Sequence, residues 1–419
     1  MVGMNRRTFL SGVVGTAFAG CLTPPTRAGA SPDHPDRIDS NWRLPGYDHR
    51  LRNYTPEASG PTTEIDELWR VEGDTSYSPP VIADGCVFVG ADDGTVQALD
   101  ARDGDERWTV SVGETASQPQ VGSEYVYVVT GEDTVALSPE DGSLVWRIDI
   151  TPEISQSLRN RQETASSGGL LYTPHGLYLV RESEAACPDD ADEDTCPAGA
   201  GEGPTTAALV SHHDPETGEL LWEEPIYNPL STHLFASAES LFVSSETVGT
   251  TPWVLRPDEG RVTEQVPGIS HGPAEHCYSD GVVYGVDDWN GSFWPMQVTE
   301  DGVEPITSES VPFTGENLAT DGKRCYISSS SEPGPPGVVC LSTDGTELWR
   351  HELDTVVGMP TIAEDIVLYR DSDTLYGVDP ADGTERWTHS AADMGSEIAI
   401  VDDILYTVDG GTVLSYRSV

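Results

Sequence analysis

Lysine is almost absent from this sequence. Lys323 is the single lysine among 419 residues, and lysine and arginine together number 22 against 71 aspartates and glutamates. The formal net charge at pH 7 is −49. Such a chain repels phosphate over its whole surface, so it lacks the basic footprint of a nucleic-acid-binding protein. The same deficit argues against docking onto anionic lipid through a basic patch.

Several signatures of metal and nucleotide sites are also missing. No CxxC occurs, no two cysteines are adjacent, and no Cys/His spacing fits a zinc site. The phosphate-binding pattern GxxxxGK[ST] is absent. The acidic stretch 189–194 lacks the spaced ligands and the glycine of a Ca²⁺-binding loop. We therefore predict no metal site, no cofactor and no nucleic-acid partner.

The acidic residues are spread along the whole chain and form no terminal block. Two explanations of the acidity are an acidic segment that binds cations or basic partners and adaptation to very high salt. At molar salt the Debye length is a few ångströms, so like charges barely repel one another. The spread and the loss of lysine resemble proteins of extreme halophiles such as haloarchaea, and this resemblance implies that the charge reflects the solvent rather than a ligand.

The N-terminus predicts an export signal over residues 1–20. Arg6 and Arg7 precede a short apolar run, the pattern of a twin-arginine signal. That run is too short to span a membrane permanently. Phe18-Ala19-Gly20-Cys21 resembles a lipobox, in which Cys21 becomes the first mature residue and carries lipid. The resemblance implies attachment to the extracellular face of the cytoplasmic membrane, with residues 21–62 as the lipid-bearing cysteine and a flexible tether.

Six further cysteines would meet an oxidising compartment after export. Cys187 and Cys196 bracket one short loop, which predicts a local disulfide. Cys325 and Cys340 fall on neighbouring predicted strands, which makes a cross-strand disulfide plausible. Cys86 and Cys277 fall in different repeats and are predicted to be buried thiols.

An internal repeat dominates the remainder of the chain. Six tryptophans close equivalent segments, and the intervals 69→108, 108→146 and 349→387 are 39, 38 and 38 residues. Each unit contains short alternating strands joined by Gly and Asp turns, which is typical of a four-stranded propeller blade. Two further units, between Trp222 and Trp349, lack the tryptophan but keep the strand pattern. With them included, residues 63–419 contain eight blades. A seven-bladed alternative requires one of those two units to be no blade.

Ring closure follows from the two ends of this region. The last unit stops at Val419 after three strands, while residues 64–70 form a lone tryptophan strand with no blade before it. We expect this N-terminal strand to complete the last blade and so remove an exposed sheet edge. The predicted fold is therefore all-β: an eight-bladed β-propeller of four-stranded blades.

These units resemble the pyrroloquinoline-quinone-like (PQQ-like) repeat family. The resemblance rests on Val96-Gln97-Ala98-Leu99-Asp100 with Asp103-Gly104 and Trp108, and on the matching unit that ends at Trp387. It implies the propeller fold and leaves the function open, since the family includes quinone-dependent dehydrogenases and non-enzymatic lipoproteins. The order of signal, cysteine, tether and blades is similar to the lipoprotein propeller subunit of the bacterial outer-membrane assembly machine.

Candidate binding residues follow from propeller geometry, because the loops that lead into the innermost strands crowd one end of the central channel. The positions at this channel mouth are Arg159, Arg161, His233, His271, His276, Glu316 and Glu397. Two arginines in so acidic a chain suit a carboxylate or an acidic peptide, although a salt-bridged loop is the plainer interpretation. No catalytic residue is singled out.

The sequence therefore predicts a non-enzymatic, lipid-anchored propeller that holds a protein partner at the cell surface. One alternative is a quinone-dependent alcohol or sugar dehydrogenase using PQQ and Ca²⁺. The lack of adjacent cysteines and of a CxxCH haem motif disfavours it. Another alternative is binding of extracellular polymer through the aromatic cluster of Trp289, Phe293 and Trp294, for which packing at a blade edge is the plainer explanation.

Overall fold

Eight sheets, antiparallel apart from the pairing of β1 in one of them, are arranged around one axis in this computed structural model. The structure describes residues 38–131, 133–149, 169–185, 205–227, 232–245, 253–257, 262–263, 274–287, 292–299, 302–306, 311–312, 317–329 and 336–419. Every element within these ranges is a strand or a turn. The innermost strands of successive blades lie side by side, and the first blade adjoins the last. The predicted eight-bladed propeller is therefore confirmed.

The first four blades follow the chain in order from the inner to the outer strand. Blade 1 contains β3 (Val81–Ala83), β4 (Cys86–Gly90), β5 (Thr95–Asp100) and β6 (Glu106–Ser111). Blade 2 contains β7 (Gln120–Val121), β8 (Val126–Val129), β9 (Asp133–Leu137) and β10 (Leu144–Asp149). Blade 3 contains β11 (Leu170–Thr173), β12 (Gly176–Ala185), β13 (Thr205–His213) and β14 (Leu220–Tyr227). Blade 4 contains β15 (Thr232–Ala236), β16 (Leu241–Ser245), β17 (Trp253–Leu255) and β18 (Val262–Thr263).

The last four blades include the two strands supplied by the N-terminal segment. Blade 5 contains β19 (Ala274–Ser279), β20 (Val282–Asp287), β21 (Ser292–Thr299), β22 (Gly302–Pro305) and β23 (Val311–Pro312). Blade 6 contains β24 (Asn317–Thr320), β25 (Arg324–Ser329), β26 (Gly337–Ser342) and β27 (Glu347–Glu352). Blade 7 contains β1 (Tyr54–Thr55), β28 (Val357–Ala363), β29 (Val367–Arg370), β30 (Thr374–Val378) and β31 (Glu385–Ser390). Blade 8 contains β2 (Ile65–Glu72), β32 (Ile398–Val401), β33 (Ile404–Asp409) and β34 (Thr412–Ser418).

The ring closes as the sequence predicts. Strand β2 pairs antiparallel with β34, with Ile65 opposite Ser418 and Glu72 opposite Thr412. The first strand of the domain thereby becomes the outer strand of the last blade. Pairing the first and last strands of the blade region in one sheet removes the open edge that an incomplete blade would expose.

Six tryptophans on outer strands connect neighbouring blades. Immediately before each of them the register of the two outer strands shifts by a residue, and this bulge turns the indole inward. Each indole Nε1 then donates a hydrogen bond of 2.8–3.1 Å to a main-chain carbonyl, which lies in the next blade for five of the tryptophans and at Pro61, shortly before β2, for Trp387. The pairs are Trp69–Ala101, Trp108–Pro139, Trp146–Pro215, Trp222–Pro257, Trp349–Pro380 and Trp387–Pro61.

The glycine of the Asp-Gly turn completes this contact. Gly383 has φ +72°, and a Cβ built on it would lie 2.7 Å from Cδ2 of Trp349 in the preceding blade. The turn therefore needs glycine both for its left-handed backbone and for its close approach to the indole.

Replacing Gly383 by alanine is expected to lower the free energy of unfolding by about 2 to 5 kcal/mol, the sum of a left-handed alanine and a clash with the Trp349 ring. Gly410 is the matched control, since it has φ +54° and nothing within 4 Å of an added Cβ. Gly410→Ala should lose about 1 to 2 kcal/mol for its backbone alone. Urea unfolding in molar salt measures both variants, and equal losses would contradict the contact with the indole.

The predicted disulfide between Cys325 and Cys340 is wrong, because both cysteines are reduced. They lie on adjacent strands as expected, but Cys325 is opposite Leu341 and Cys340 is opposite Tyr326. A one-residue offset places them on opposite faces of the sheet, out of reach of each other. Burial raises the pKa of the Cys340 thiol to about 12, so this thiol is unreactive at neutral pH.

Of the other cysteines predicted to be thiols or disulfides, the structure describes Cys86 and Cys277. Cys277 is fully buried and keeps its thiol, as predicted. Cys86 is disulfide-bonded, so the thiol predicted there is wrong. Cys187 and Cys196, with their predicted disulfide, lie outside the described residues.

Candidate functional site

The central channel has two unlike ends. The inner strands all begin at one end, called the start face here, and turn into the second strands at the other end, called the turn face. Residues 38–62, named the collar, cross the turn face and exchange main-chain hydrogen bonds with seven blades. The bonded pairs are Trp42–Ile82, Arg43–Val121, His49–Ala236, Arg50–Tyr278, Arg52–Thr320, Asn53–Ile362 and Gly60–Asp402, in blades 1, 2, 4, 5, 6, 7 and 8.

The two ends of the collar meet at Asp402, in the inner turn of blade 8. Its carboxylate accepts hydrogen bonds from the main-chain NH groups of Asp39, at 2.9 Å, and Ser40, at 3.1 Å. Its own NH donates to Oγ of Ser40 at 2.7 Å, and its carbonyl accepts from the NH of Gly60. The collar thus makes one complete circuit of the ring.

The collar also enters the channel. Strand β1 pairs parallel with β28, with Tyr54 opposite Ile362, on the axis side of the inner strand of blade 7. Asn53 precedes it with φ +50°, and its side-chain amide donates to Pro360 O at 2.6 Å. The turn-face end of the channel is therefore occupied by the protein's own chain.

Collar arginines form ion pairs both with a blade and within the collar. The guanidinium of Arg43 donates to Asp84 at 2.7 Å and to Gly122 O at 3.2 Å, which ties blade 1 to blade 2. Arg52 pairs with Asp48 at 2.7 Å, with side chains only 14% and 18% exposed. Pairs so well shielded from solvent keep more of their attraction in salt than exposed pairs do.

The sequence assigns residues 38–62 to a flexible tether, whereas the structure packs them against the blades. Trp42 is 3% exposed and Leu44 is 5% exposed. The amino-acid composition of this segment could have indicated that it packs. Trp42, Tyr47 and Tyr54 place three aromatic residues in a short segment, whereas flexible linkers contain few.

The collar contains a partly buried histidine with an expected pH effect. Burial lowers the pKa of His49 below its ordinary value of 6.5. Below pH 6.5 His49 binds a proton more readily in the unfolded chain than in the folded protein. The free energy of unfolding is therefore higher above this pH and falls as the pH decreases. Replacing His49 by glutamine should make the unfolding free energy fall less between pH 7.5 and 5.5 than in wild type, as measured by urea titration at both pH values. An unchanged pH dependence would contradict this assignment, and His389→Gln provides a control outside the collar.

The structure describes three of the seven predicted channel-mouth positions. Glu397 is exposed and directly precedes inner strand β32 at the start face. His233 lies in inner strand β15, opposite Ser244. His276 lies in β19 between blades 4 and 5, where its ring stacks on Phe235 with centroids 5.7 Å apart. The structure therefore gives His276 a packing contact and does not gather these three residues into one cluster.

The other channel-mouth residues, Arg159, Arg161, His271 and Glu316, lie outside the described residues, as do Arg6, Arg7 and Cys21. His271 belongs to Gly268-Ile269-Ser270-His271-Gly272, which matches the GxSxG pattern of hydrolases. That pattern acts on a sharp strand-to-helix turn. The described strands on either side of it, β18 and β19, belong to successive blades.

Polar side chains of the inner strands join neighbouring blades. The Gln120 amide donates to Leu170 O at 2.5 Å and accepts from the NH of Tyr172 at 2.8 Å, linking blades 2 and 3. Thr361 Oγ1 donates to Ile398 O at 3.2 Å, linking blades 7 and 8. Sequence patterns alone do not identify these bonds, because they depend on which strands become neighbours across blades.

Part of the aromatic cluster proposed for polymer binding lies in the hydrophobic core. Phe293 is fully buried and stacks on Tyr284 with ring centroids 5.9 Å apart. Trp294 is half-buried, and Trp289 lies outside the described residues. Phe293 therefore cannot serve as a surface contact for a polymer.

In the part of the chain that the structure describes, no group of three or more His, Cys, Asp or Glu side chains is arranged to hold a metal ion. The described ranges likewise contain no helix with the length and hydropathy to cross a bilayer.

Comparisons with known proteins agree with the fold. The family model described as outer membrane protein assembly factor BamB matches residues 63–186 and 279–418. Among curated proteins, a serine/threonine-protein kinase AfsK of Streptomyces griseus is 28% identical over 46% of this chain and 24% of its own length. The BamB protein of Xanthomonas campestris pv. campestris is 26% identical over 36% of this chain and 39% of its own length. The chain thus spans well under half of either relative.

Solved structures resemble the fold at low sequence identity. The quinohemoprotein alcohol dehydrogenase of Comamonas testosteroni has a TM-score of 0.60 at 13% identity, covering 90% of this chain and 80% of that one. The computationally designed Ika8 protein has a TM-score of 0.61 at 14% identity, covering 84% and 99%. Identity this low supports the shared architecture alone.

Proposed function

Because the chain belongs to the family of the outer membrane protein assembly factor BamB, with its PQQ-like repeats, we propose that it is a non-enzymatic, protein-binding scaffold. The observation that carries this proposal is the collar. It occupies the turn-face end of the channel and bonds to seven blades. A propeller closed in this way offers the start face and its rim to a partner.

The described chemistry supports binding rather than catalysis. The inner-strand groups Gln120 and Thr361 are engaged in bonds between blades. The buried histidines are also engaged, since His213 contacts Gly218 O at 3.1 Å and Ser211 Oγ at 2.9 Å. A scaffold needs a rigid frame with partner-specific loops, and these bonds provide the frame.

We propose further that the protein is exported by the twin-arginine route and anchored through lipid on Cys21 at the extracellular face of the cytoplasmic membrane. Support comes from Arg6, Arg7 and the lipobox pattern before Cys21. The test is fractionation of cells that express the full chain or Cys21→Ser. Wild type should sediment with membranes and the variant should appear in the medium, while equal partition of the two would reject the anchor.

The scaffold proposal is tested by cross-linking on intact cells in molar salt, using the full chain and an amine- and carboxyl-reactive reagent. A discrete cross-linked partner that is absent from the Cys21→Ser strain supports the proposal. The competing quinone-dependent dehydrogenase is tested on the same protein by adding pyrroloquinoline quinone with and without Ca²⁺, and then assaying dye-linked oxidation of alcohols and sugars. Stoichiometric quinone binding with turnover would overturn the scaffold proposal.

A further inference from the structure

Exposed apolar side chains are concentrated on the outer rim of blades 2 and 3. Leu144 and Val145 begin β10, and Leu220 and Leu221 begin β14, at the turn-face end of each outer strand. These four side chains are 42–53% exposed. They are four of the seven large apolar side chains that are exposed in the described ranges, and the other three lie singly in blades 5, 6 and 8.

Tryptophan connects the two groups of exposed residues. Trp146 of blade 2 donates from Nε1 to Pro215 O at 3.1 Å, and a Cβ built on Gly218 would lie 3.1 Å from its ring. Leu220 follows Gly218 by two residues, so the indole fills the rim between the blades. Trp146 and Trp222 are half-buried, whereas the other four repeat tryptophans are only 4–8% exposed. A partly exposed indole is a typical anchor at the centre of a protein interface.

The same rim positions carry charge in two other blades. Val145 and Leu221 are the extra residues of the bulges that directly precede the tryptophans, and blades 1 and 7 have Arg107 and Arg386 there. Each arginine pairs with an aspartate of its own blade. Packing within a blade therefore does not require an apolar residue at this position. Grouped apolar side chains on a chain of charge −49 indicate a contact outside the propeller.

The size and symmetry of this surface fit a second copy of the chain. The surface is called the strip and consists of two ridges, residues 144–146 of blade 2 and residues 220–222 of blade 3. The strip presents roughly 400 Å² of apolar area, close to the roughly 500 Å² that each partner contributes to a standard homodimer interface. The ridges occupy equivalent positions in successive blades. A two-fold axis between them therefore places the blade 2 ridge of one copy on the blade 3 ridge of the other.

We propose that the chain forms a two-fold symmetric dimer through the strip, with the axis parallel to the propeller axis. Val145 of one copy then lies against Leu221 of the other. Both turn faces point the same way, so the two collars begin on the same side, as two copies anchored to one membrane require. The acidic surfaces around the strip do not prevent this contact, because molar salt screens their repulsion within a few ångströms. The dimer goes beyond the protein-binding function proposed above, since it leaves both start faces uncovered.

The first test measures the mass of the full chain carrying Cys21→Ser, by light scattering in molar KCl over a range of protein concentrations. The parent protein should be a dimer at micromolar concentration. Adding Val145→Arg and Leu221→Arg should raise the dissociation constant about a hundredfold or more, because both charged groups would have to be buried in the contact. Arg107 and Arg386 show that the bulge accommodates arginine.

Blade 6 provides a control with the same change in charge. Leu348 occupies the equivalent bulge position and is 49% exposed, but it belongs to no pair of apolar ridges. Leu348→Arg should therefore leave the dissociation constant unchanged. Unfolding of each variant in urea checks that the propeller is intact.

A second test examines which ridges meet. Val145→Cys and Leu221→Cys are prepared separately, mixed and oxidised. The mixture should form a disulfide-linked dimer on a non-reducing gel, and each variant alone should form much less, because the axis brings unlike ridges together. Leu348→Cys mixed with Leu221→Cys should form no more than the oxidised parent protein.

Several results would overturn the proposal. A parent protein that is monomeric at every concentration excludes the dimer. A dimer that survives both arginine substitutions uses another surface, and a link formed by Val145→Cys alone contradicts the axis. If the parent is monomeric and the arginine variant unfolds at lower urea, a segment of the same chain covers the strip. If the parent is monomeric and binds phosphatidylglycerol vesicles that the arginine variant does not bind, the strip contacts a bilayer instead.

Discussion

Replacing Trp349 by alanine is expected to lower the free energy of unfolding by about 3 to 5 kcal/mol, the usual cost of removing a large buried ring. The indole is 8% exposed and donates to Pro380 O at 3.1 Å. It also contacts Gly383 of the next blade and Tyr326 of its own blade. The substitution therefore opens the seam between blades 6 and 7, and urea unfolding in molar salt measures the loss.

The neighbouring residue provides the control. Leu348 directly precedes Trp349 on the same strand and is 49% exposed. Leu348→Ala should change stability by less than about 0.5 kcal/mol, because it opens no cavity. Similar losses for the two variants would mean that the outer strand as a whole, rather than the indole, connects the blades.

The fold could be predicted because each blade repeats its own local signals. A glycine four residues before a tryptophan recurs in blades 1, 2, 3, 6 and 7, so an error in assigning one unit is corrected by the others. Blades 4 and 5 lack the tryptophan but keep alternating strands, and both are present. The lone strand at residues 64–70 had one place to pair, since the last unit had three strands.

What escaped prediction depends on register and on contacts distant in sequence. Excluding a disulfide between Cys325 and Cys340 requires the strand register, because an offset of one residue reverses the face that a side chain occupies. The collar has no repeat and no periodicity, because its main-chain bonds go to seven different blades in turn. Of the candidate mouth residues that the structure describes, His233 and His276 lie on inner strands, and the stacking of His276 on Phe235 depends on which strands become neighbours across blades.

Removing the collar is expected to destabilise the propeller strongly. The reference for this comparison is a variant beginning at residue 38, which keeps the whole collar. A variant beginning at residue 63 should lose about 5 kcal/mol or more, because it strips away the buried side chains of Trp42 and Leu44, which are 3% and 5% exposed. It also leaves hydrogen-bonding groups of seven blades without their collar partners. Urea unfolding at fixed salt compares the two.

A single substitution separates the contribution of the hydrogen bonds that close the collar from the contribution of its buried side chains. Asp402→Ala keeps every apolar side chain of the collar but removes the carboxylate that accepts from Asp39 and Ser40. It should lose about 1 to 3 kcal/mol, the cost of leaving partly buried NH groups unsatisfied, and should speed proteolysis of the collar in the native protein. If the variant beginning at residue 63 matched the one beginning at residue 38, residues 38–62 would be a tether after all. The channel would then be open at both faces, and the argument that partners must approach from the start face would fall with it.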